Sequence, residues 1–204
     1  MGKPAAALCI VTLLVGPAAA ATYDVDPVHS SISFKVRFLV TKVRGRFDKV
    51  SGSVTYEKGK PETWKAQGHA EAASVNTNVS QRDGHLRSPD FFDIKRCPDV
   101  DFKATKVTDV KDDTAKLEGL LTMRCVTKPV TLDLQIGGEA HAEGVVRLGA
   151  TATGRVNRKD WGLNWNEAIE AGGMLVGDDV DMELEIEAIR RDEIPAKAEP
   201  APKK

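Results

Sequence analysis

The chain predicts an all-β fold of about eight antiparallel strands, either a sandwich or an up-and-down barrel, with a short helical segment laid across it. Three observations lead there. Apolar and polar residues alternate with period two along much of the chain. Turn-forming clusters such as "EKGKPE", "KDDT" and "GGEAHAEG" separate the alternating runs. One stretch, "RDGHLRSPDFFDIKRCPD" at 82–99, breaks the pattern and sets two adjacent phenylalanines among acids and arginines.

Taken in order, residues 1–21 read as a secretory signal peptide. Lys3 gives a positive start, Ala5 to Val15 is mostly apolar, and Pro17 with Ala18–Ala21 supplies small residues for cleavage after about Ala21. The apolar run is too short to cross a bilayer, and no later stretch is apolar enough to span one. An exported protein is expected, in the periplasm or outside the cell. In "SISFKVRFLV", Ile32, Phe34, Val36 and Phe38 face one way, with Ser33, Lys35 and Arg37 opposite. Weaker alternation marks 64–75. The break follows. Asn76, Thr77 and Asn78 are each able to cap a helix, and Ser88–Pro89 offers a second helical start. The expectation is a short helical plug across one barrel mouth. Phe91 and Phe92 would face inward, and Arg82, Asp83, Arg87, Asp90 and Asp93 would pair at the rim.

Beyond the plug, 100–110 and 115–125 read as hairpin arms around "KDDT". Pairing 110 with 115 sets Cys125 opposite about residue 100, a few residues from Cys97. A disulfide there would add roughly 3 kcal/mol, and loss of Cys9 with the signal peptide leaves an even count for an oxidising compartment. Two separate buried thiols are the alternative. "PVTLDLQI" points Val130, Leu132, Leu134 and Ile136 inward, and 145–156 alternates weakly. Small residues on the inner faces (Ala104, Gly119, Ala150, Ala152, Gly154) either leave room for a guest or permit strand curvature. Trp161 and Trp165 either line an entrance or close a barrel end. "DVDMELEIEAI" alternates Val180, Met182, Leu184, Ile186 and Ala188 with a strongly acidic outer face. Residues 190–204, rich in Pro, Ala and Lys, read as a disordered tail. The intervening 22–189 is long enough for one domain with a substantial core.

Several function classes recede on composition. Net charge is −1, with no basic run or basic aromatic face for nucleic acid. The histidines, His29, His69, His85 and His141, form no short two-His metal spacing. No G-x-S-x-G or phosphate-cradling glycine loop appears. No catalytic residue and no metal ligand is assigned.

The motifs "DVDPVHSSISFKVRFL", "SVNTNVSQRDGHLRSPDFFDIKRCPDVDFKAT", "LLTMRCVTKPVTLDL", "GRVNRKDWGLNWN" and "GGMLVGDDVDMELEIE" together resemble the YceI-like family over about residues 22 to 189. The resemblance implies a lipocalin-like barrel holding an isoprenoid lipid, a polyprenyl chain or isoprenoid quinone, in an elongated apolar cavity. It implies no cofactor beyond that lipid and leaves monomer and homodimer both open. Two positions depart from the family pattern. Cys97 stands where an aromatic is expected and Cys125 where a glycine is expected, which strengthens the pairing of the two.

Binding by burial needs shape and dryness rather than a reactive group, and each methylene removed from water contributes roughly 0.8 kcal/mol. The candidate lining is Phe34, Val36, Phe38, Phe102 and Leu121, with Leu132, Leu134, Leu148 and Leu184, joined by Phe91, Phe92, Trp161 and Trp165 at the plug. Arg82, His85, Arg87 and Arg158 are candidates for a polar headgroup or for ion pairs with Asp83, Asp90, Asp93 or Asp160. The expected role is non-enzymatic binding, storage or transport. An enzyme or stress-protective scavenger acting on such lipids is the alternative.

Overall fold

A computed structural model describes residues 20–168 and 172–194. Its strands are β1 (Ala21–Val25), β2 (Ser31–Phe38), β3 (Thr41–Phe47), β4 (Val50–Tyr56), β5 (Lys65–Glu71), β6 (Val75–Asn76), β7 (Asp99–Lys111), β8 (Thr114–Met123), β9 (Val126–Ala142), β10 (Val145–Asn157) and β11 (Val176–Arg190), with one helix, α1 (Ser80–Arg87). Eight strands close a ring in the order β1-β4-β5-β7-β8-β9-β10-β11 and back to β1, every pairing antiparallel. The molecule is therefore a barrel and not a sandwich. β11 serves two neighbours: its last residues pair with β1 (Ala188↔Val25), its first with β2 (Val180↔Val36). The β2–β3 hairpin and short β6 fill the wall where β1 is too short to reach.

Alternation decides which way each strand faces. Along β11, Val180, Met182, Leu184 and Ile186 turn inward, while Asp181, Glu183, Glu185 and Glu187 meet cations and hydroxyls outside, as in Lys35–Glu183 at 2.8 Å and Thr151–Glu185 at 2.8 Å. An apolar inside and a charged outside is the reverse of a membrane-spanning barrel. Among the described residues, no helix is long and apolar enough to cross a membrane.

Several predicted boundaries shift. "GGEAHAEG" is not a turn; β9 runs through it, absorbing Gly138 (φ +94°) at a bulge, and the reversal falls at Glu143–Gly144. The register 110↔115 equals the observed Lys111↔Thr114, but two bulges in β7, between Ala104 and Lys106 and between Thr108 and Lys111, slide the far end to Asp101↔Thr122. That slide brings Cys125 nearer Cys97, and the two form a disulfide with Cα atoms 5.3 Å apart. The second helical start at Ser88 does not propagate: residues 89–96 are turns, with Asp93 at φ 52°. α1 itself begins after Val79 without a side-chain cap, and buried Asp83 in its first turn accepts from Thr77 N (2.8 Å) and Thr77 Oγ1 (2.5 Å). At the other terminus, residues 190–194 complete β11 and a 3₁₀ turn in which Arg191 pairs with Asp24. The rest of the predicted tail and residues 1–19 of the predicted signal peptide lie outside the described residues.

Candidate functional site: an apolar hollow under a cap

The inward side chains do not meet at the barrel axis. They surround a hollow of about 680 Å³, within the usual size range of small-molecule sites. Phe34, Val36 and Phe38 of β2, Phe102 of β7, Leu121 of β8, Leu132 and Leu134 of β9, Leu148 of β10 and Leu184 of β11 all line it. From the cap, Phe91, Phe92 and Trp165 do so as well. The lining continues over residues not selected from the sequence: Val43, Val54, Tyr56, Trp64 and Ala66 among them. β5 faces inward with Ala66, Gly68 and Ala70, so there the hollow reaches the strand's main chain. A Cβ built on Gly68 meets nothing within 4 Å.

The inner glycines and alanines divide into two kinds. Ala150 and Ala152 line the hollow. Gly119, Gly154 and, unforeseen, Gly45 are instead covered by large neighbours. A Cβ on Gly45 would lie 2.3 Å from Phe34 Cζ, one on Gly119 2.5 Å from the Phe102 ring, and one on Gly154 2.6 Å from Leu132 Cδ2. These glycines let bulky side chains lie flat on the wall, which keeps them out of the lumen.

At the cap, His85, Phe91 and Trp165 form a three-ring cluster with centroids 4.8–5.4 Å apart, and His85 Nε2 sits 3.0 Å from Asp90. Trp161 is a correction: it does not line the hollow. It is buried, its indole N–H donates to Leu121 O at 3.0 Å, and it seals the barrel end. Arg87 is another, for it faces away from the hollow and donates to Ala73 O (2.7 Å) and Val75 O (2.8 Å). Arg82 reaches the lining but donates to Thr77 Oγ1 and O. Arg158 is buried and spends its donors on the carbonyls of Gly177 (2.9 Å), Trp165 (2.9 Å) and Leu163, with Asp178 at 3.5 Å. Burial lowers its pKa from the usual value. None of the four makes the expected acid pair within the plug except His85; the arginines are bound mainly to oxygens of loops that fold over the barrel end.

The latch of this cap pairs the disulfide expected from the sequence with Arg124, which sequence reasoning missed. Arg124 and Cys125 are both left-handed (φ 50° and 59°) and form the two-residue β8–β9 turn. From it the disulfide reaches Cys97, and Arg124 donates to Pro89 O at 2.9 Å and to Gly162 O. Away from the hollow, Asp26, His29 and Glu187 bring ligand-type atoms within 4.8 Å of one another. Arg147 already lies among them, 3.0 Å from Asp26 and 2.5 Å from Glu187, so a guanidinium supplies the cation there.

A closed antiparallel barrel around an apolar hollow, with a lid segment across one end, defines a lipocalin-like protein. The chain belongs more specifically to the YceI-like family, whose domain model matches residues 23–188. A UPF0312 protein of Staphylococcus aureus (strain N315) is 33% identical over 168 residues, spanning 81% of this chain and 95% of that one. The YCEI protein of Campylobacter jejuni superposes with a TM-score of 0.67 at 29% identity, covering 76% of this chain and 89% of that one. A polyisoprenoid binding domain from Saccharophagus degradans shares the fold with a TM-score of 0.61 at 16% identity, covering 84% and 99%.

Proposed function

We propose that the protein binds and carries or stores an isoprenoid lipid, a polyprenyl chain or isoprenoid quinone, and performs no chemistry on it. The observation that carries this reading is the hollow. Apolar walls around about 680 Å³ of space are left against water or void unless a guest covers them, and covering apolar surface is favourable by about 25 cal/mol per Å². A guest that fills it therefore stabilises the fold. Walls of Leu, Val, Ile and Phe repel water, so the guest must be apolar. Three basic side chains of its lining, Arg82, His85 and Arg158, stand at the cap end, where an amphiphile's head would emerge. The disulfide fits an exported protein working in an oxidising compartment.

Organic extraction of the purified protein followed by mass spectrometry tests the reading. A prenyl lipid in stoichiometric amount is expected. Gly68→Leu projects a side chain into open lumen without left-handed backbone strain and should lower lipid content severalfold with the fold intact. A folded Gly68→Leu protein with undiminished lipid, or turnover of added lipid by the wild type, would overturn it.

A further inference from the structure

The tip of the β2–β3 hairpin presents an apolar knob beside the hollow. Val40 is fully exposed, and Leu39 is 40% exposed with φ 52°, a conformation a bulky residue rarely adopts. Met174, 50% exposed, belongs to the loop alongside. The two loops are fastened together: Leu39 N donates to Leu175 O at 2.9 Å, and Arg37 donates to both Leu39 O (3.1 Å) and Met174 O (3.3 Å). Phe38 and Leu175, next in chain to the exposed residues, line the hollow. In both segments the exposed apolar residue is followed or preceded directly by one that lines the lumen.

Below the knob, the outer face of the hairpin sets like charges directly opposite one another, Lys35↔Arg44 and Arg37↔Lys42. Such pairs repel and weaken a sheet. Glu183 and Asp181 of β11 pair with Lys35 and Lys42 at 2.8 and 2.9 Å. Among the described residues, Arg44 makes no salt bridge and Arg37 binds only carbonyls. An apolar tip over two arginines without a carboxylate bonded to them matches the interface of a bilayer that carries anionic headgroups.

We infer that the β2–β3 tip, with Met174, docks on an anionic lipid surface and so delivers the barrel mouth to the membrane from which cargo is drawn. Cargo transfer in this form rests on the proposed lipid-binding role; docking does not require it. The full chain is sedimented with phosphatidylcholine vesicles, with and without phosphatidylglycerol. Tighter binding to the phosphatidylglycerol vesicles, weakened by salt, is expected. Val40→Asp, at a fully exposed position, should weaken it by about tenfold or more. Arg44→Gln should cost about fivefold, on anionic vesicles alone. Gly68→Leu should bind vesicles as wild type does. Wild-type protein that ignores anionic vesicles, or a Val40→Asp variant that binds them undiminished, overturns the docking surface. Vesicle binding through Val40 by a protein that extracts without prenyl lipid keeps the docking surface and removes the cargo reading instead.

Discussion

The two ends of the barrel are closed in different ways. At the far end the strands' own side chains do it: Tyr23, Tyr56, Ile136, Val146, Leu148 and Ala188 pack into one cluster, Trp64 stacks on Tyr56 with centroids 5.1 Å apart, and the Tyr23 hydroxyl donates to Glu139. Every closing residue belongs to a strand or lies beside one. At the cap end closure is delegated to α1, residues 88–98 and the Arg158–Trp165 loop, which are held by the Arg124–Cys125 latch and by buried Trp161. A wall made of strands opens only when the sheet does. A lid tied by a disulfide and loop contacts can part from the barrel while the sheet survives, so the cap end is the one that can open with the barrel intact.

The contrast can be broken hardest at Trp161. Trp161→Ala deletes the largest buried cap residue and should cost about 3–5 kcal/mol, seen as a lower urea midpoint, with little retained lipid. Replacing both cysteines should cost about 3 kcal/mol and speed lipid exchange more than it lowers stability. The partner chosen for Cys97→Ala sharpens this: Cys125→Gly should be the milder choice and Cys125→Ala the harsher, by about 1 kcal/mol, since glycine accepts the left-handed turn. Equal stabilities would show that the turn carries no strain. At the far end, Tyr23→Phe should cost about 1 kcal/mol in urea unfolding and leave exchange rates unchanged. Burial, reinforced by Glu139, holds the Tyr23 hydroxyl well above its ordinary pKa, so it stays protonated and keeps donating.

A last effect, read only in acid, lies outside both ends. The bond from His29, aided by Val28 N and Arg147, holds Asp26 down at about 2. A depressed carboxylate stabilises the fold above its unfolded pKa, and that contribution drains away as pH falls from about 4 toward 2. The thermal midpoint of wild type should therefore fall across this window more steeply than that of Asp26→Asn.

Legibility in the sequence followed the same division. β2, β9 and β11 alternate because one face is wet and the other dry, and their inward residues could be named from period alone. β3 and β4 went unnoticed because Gly45 and Gly52 interrupt the apolar rhythm; Gly45's inward place is filled by the Phe34 ring from the next strand. No single-strand pattern records a neighbour's side chain. The plug was visible as a break, and Phe91, Phe92 and Trp165 fall on the hollow. Trp161 and Trp165 are indistinguishable by composition, and which one packs and which one lines depends on the 3₁₀ turn at Arg158–Trp161. The arginines misled for a related reason. Loops crossing a barrel end leave carbonyls without sheet partners, and Arg82, Arg87 and Arg158 satisfy them where carboxylates were expected.

Phe34 resting on Gly45 makes the calibre of the tunnel adjustable from behind. A methyl group added at 45 would sit inside the space the ring now occupies and meets no main chain, and the ring's way out is toward the axis. Gly45→Ala should thus narrow the bore and favour slimmer cargo without itself touching the passenger, and Gly154, covered by Leu132, offers a second such set-screw on the circumference.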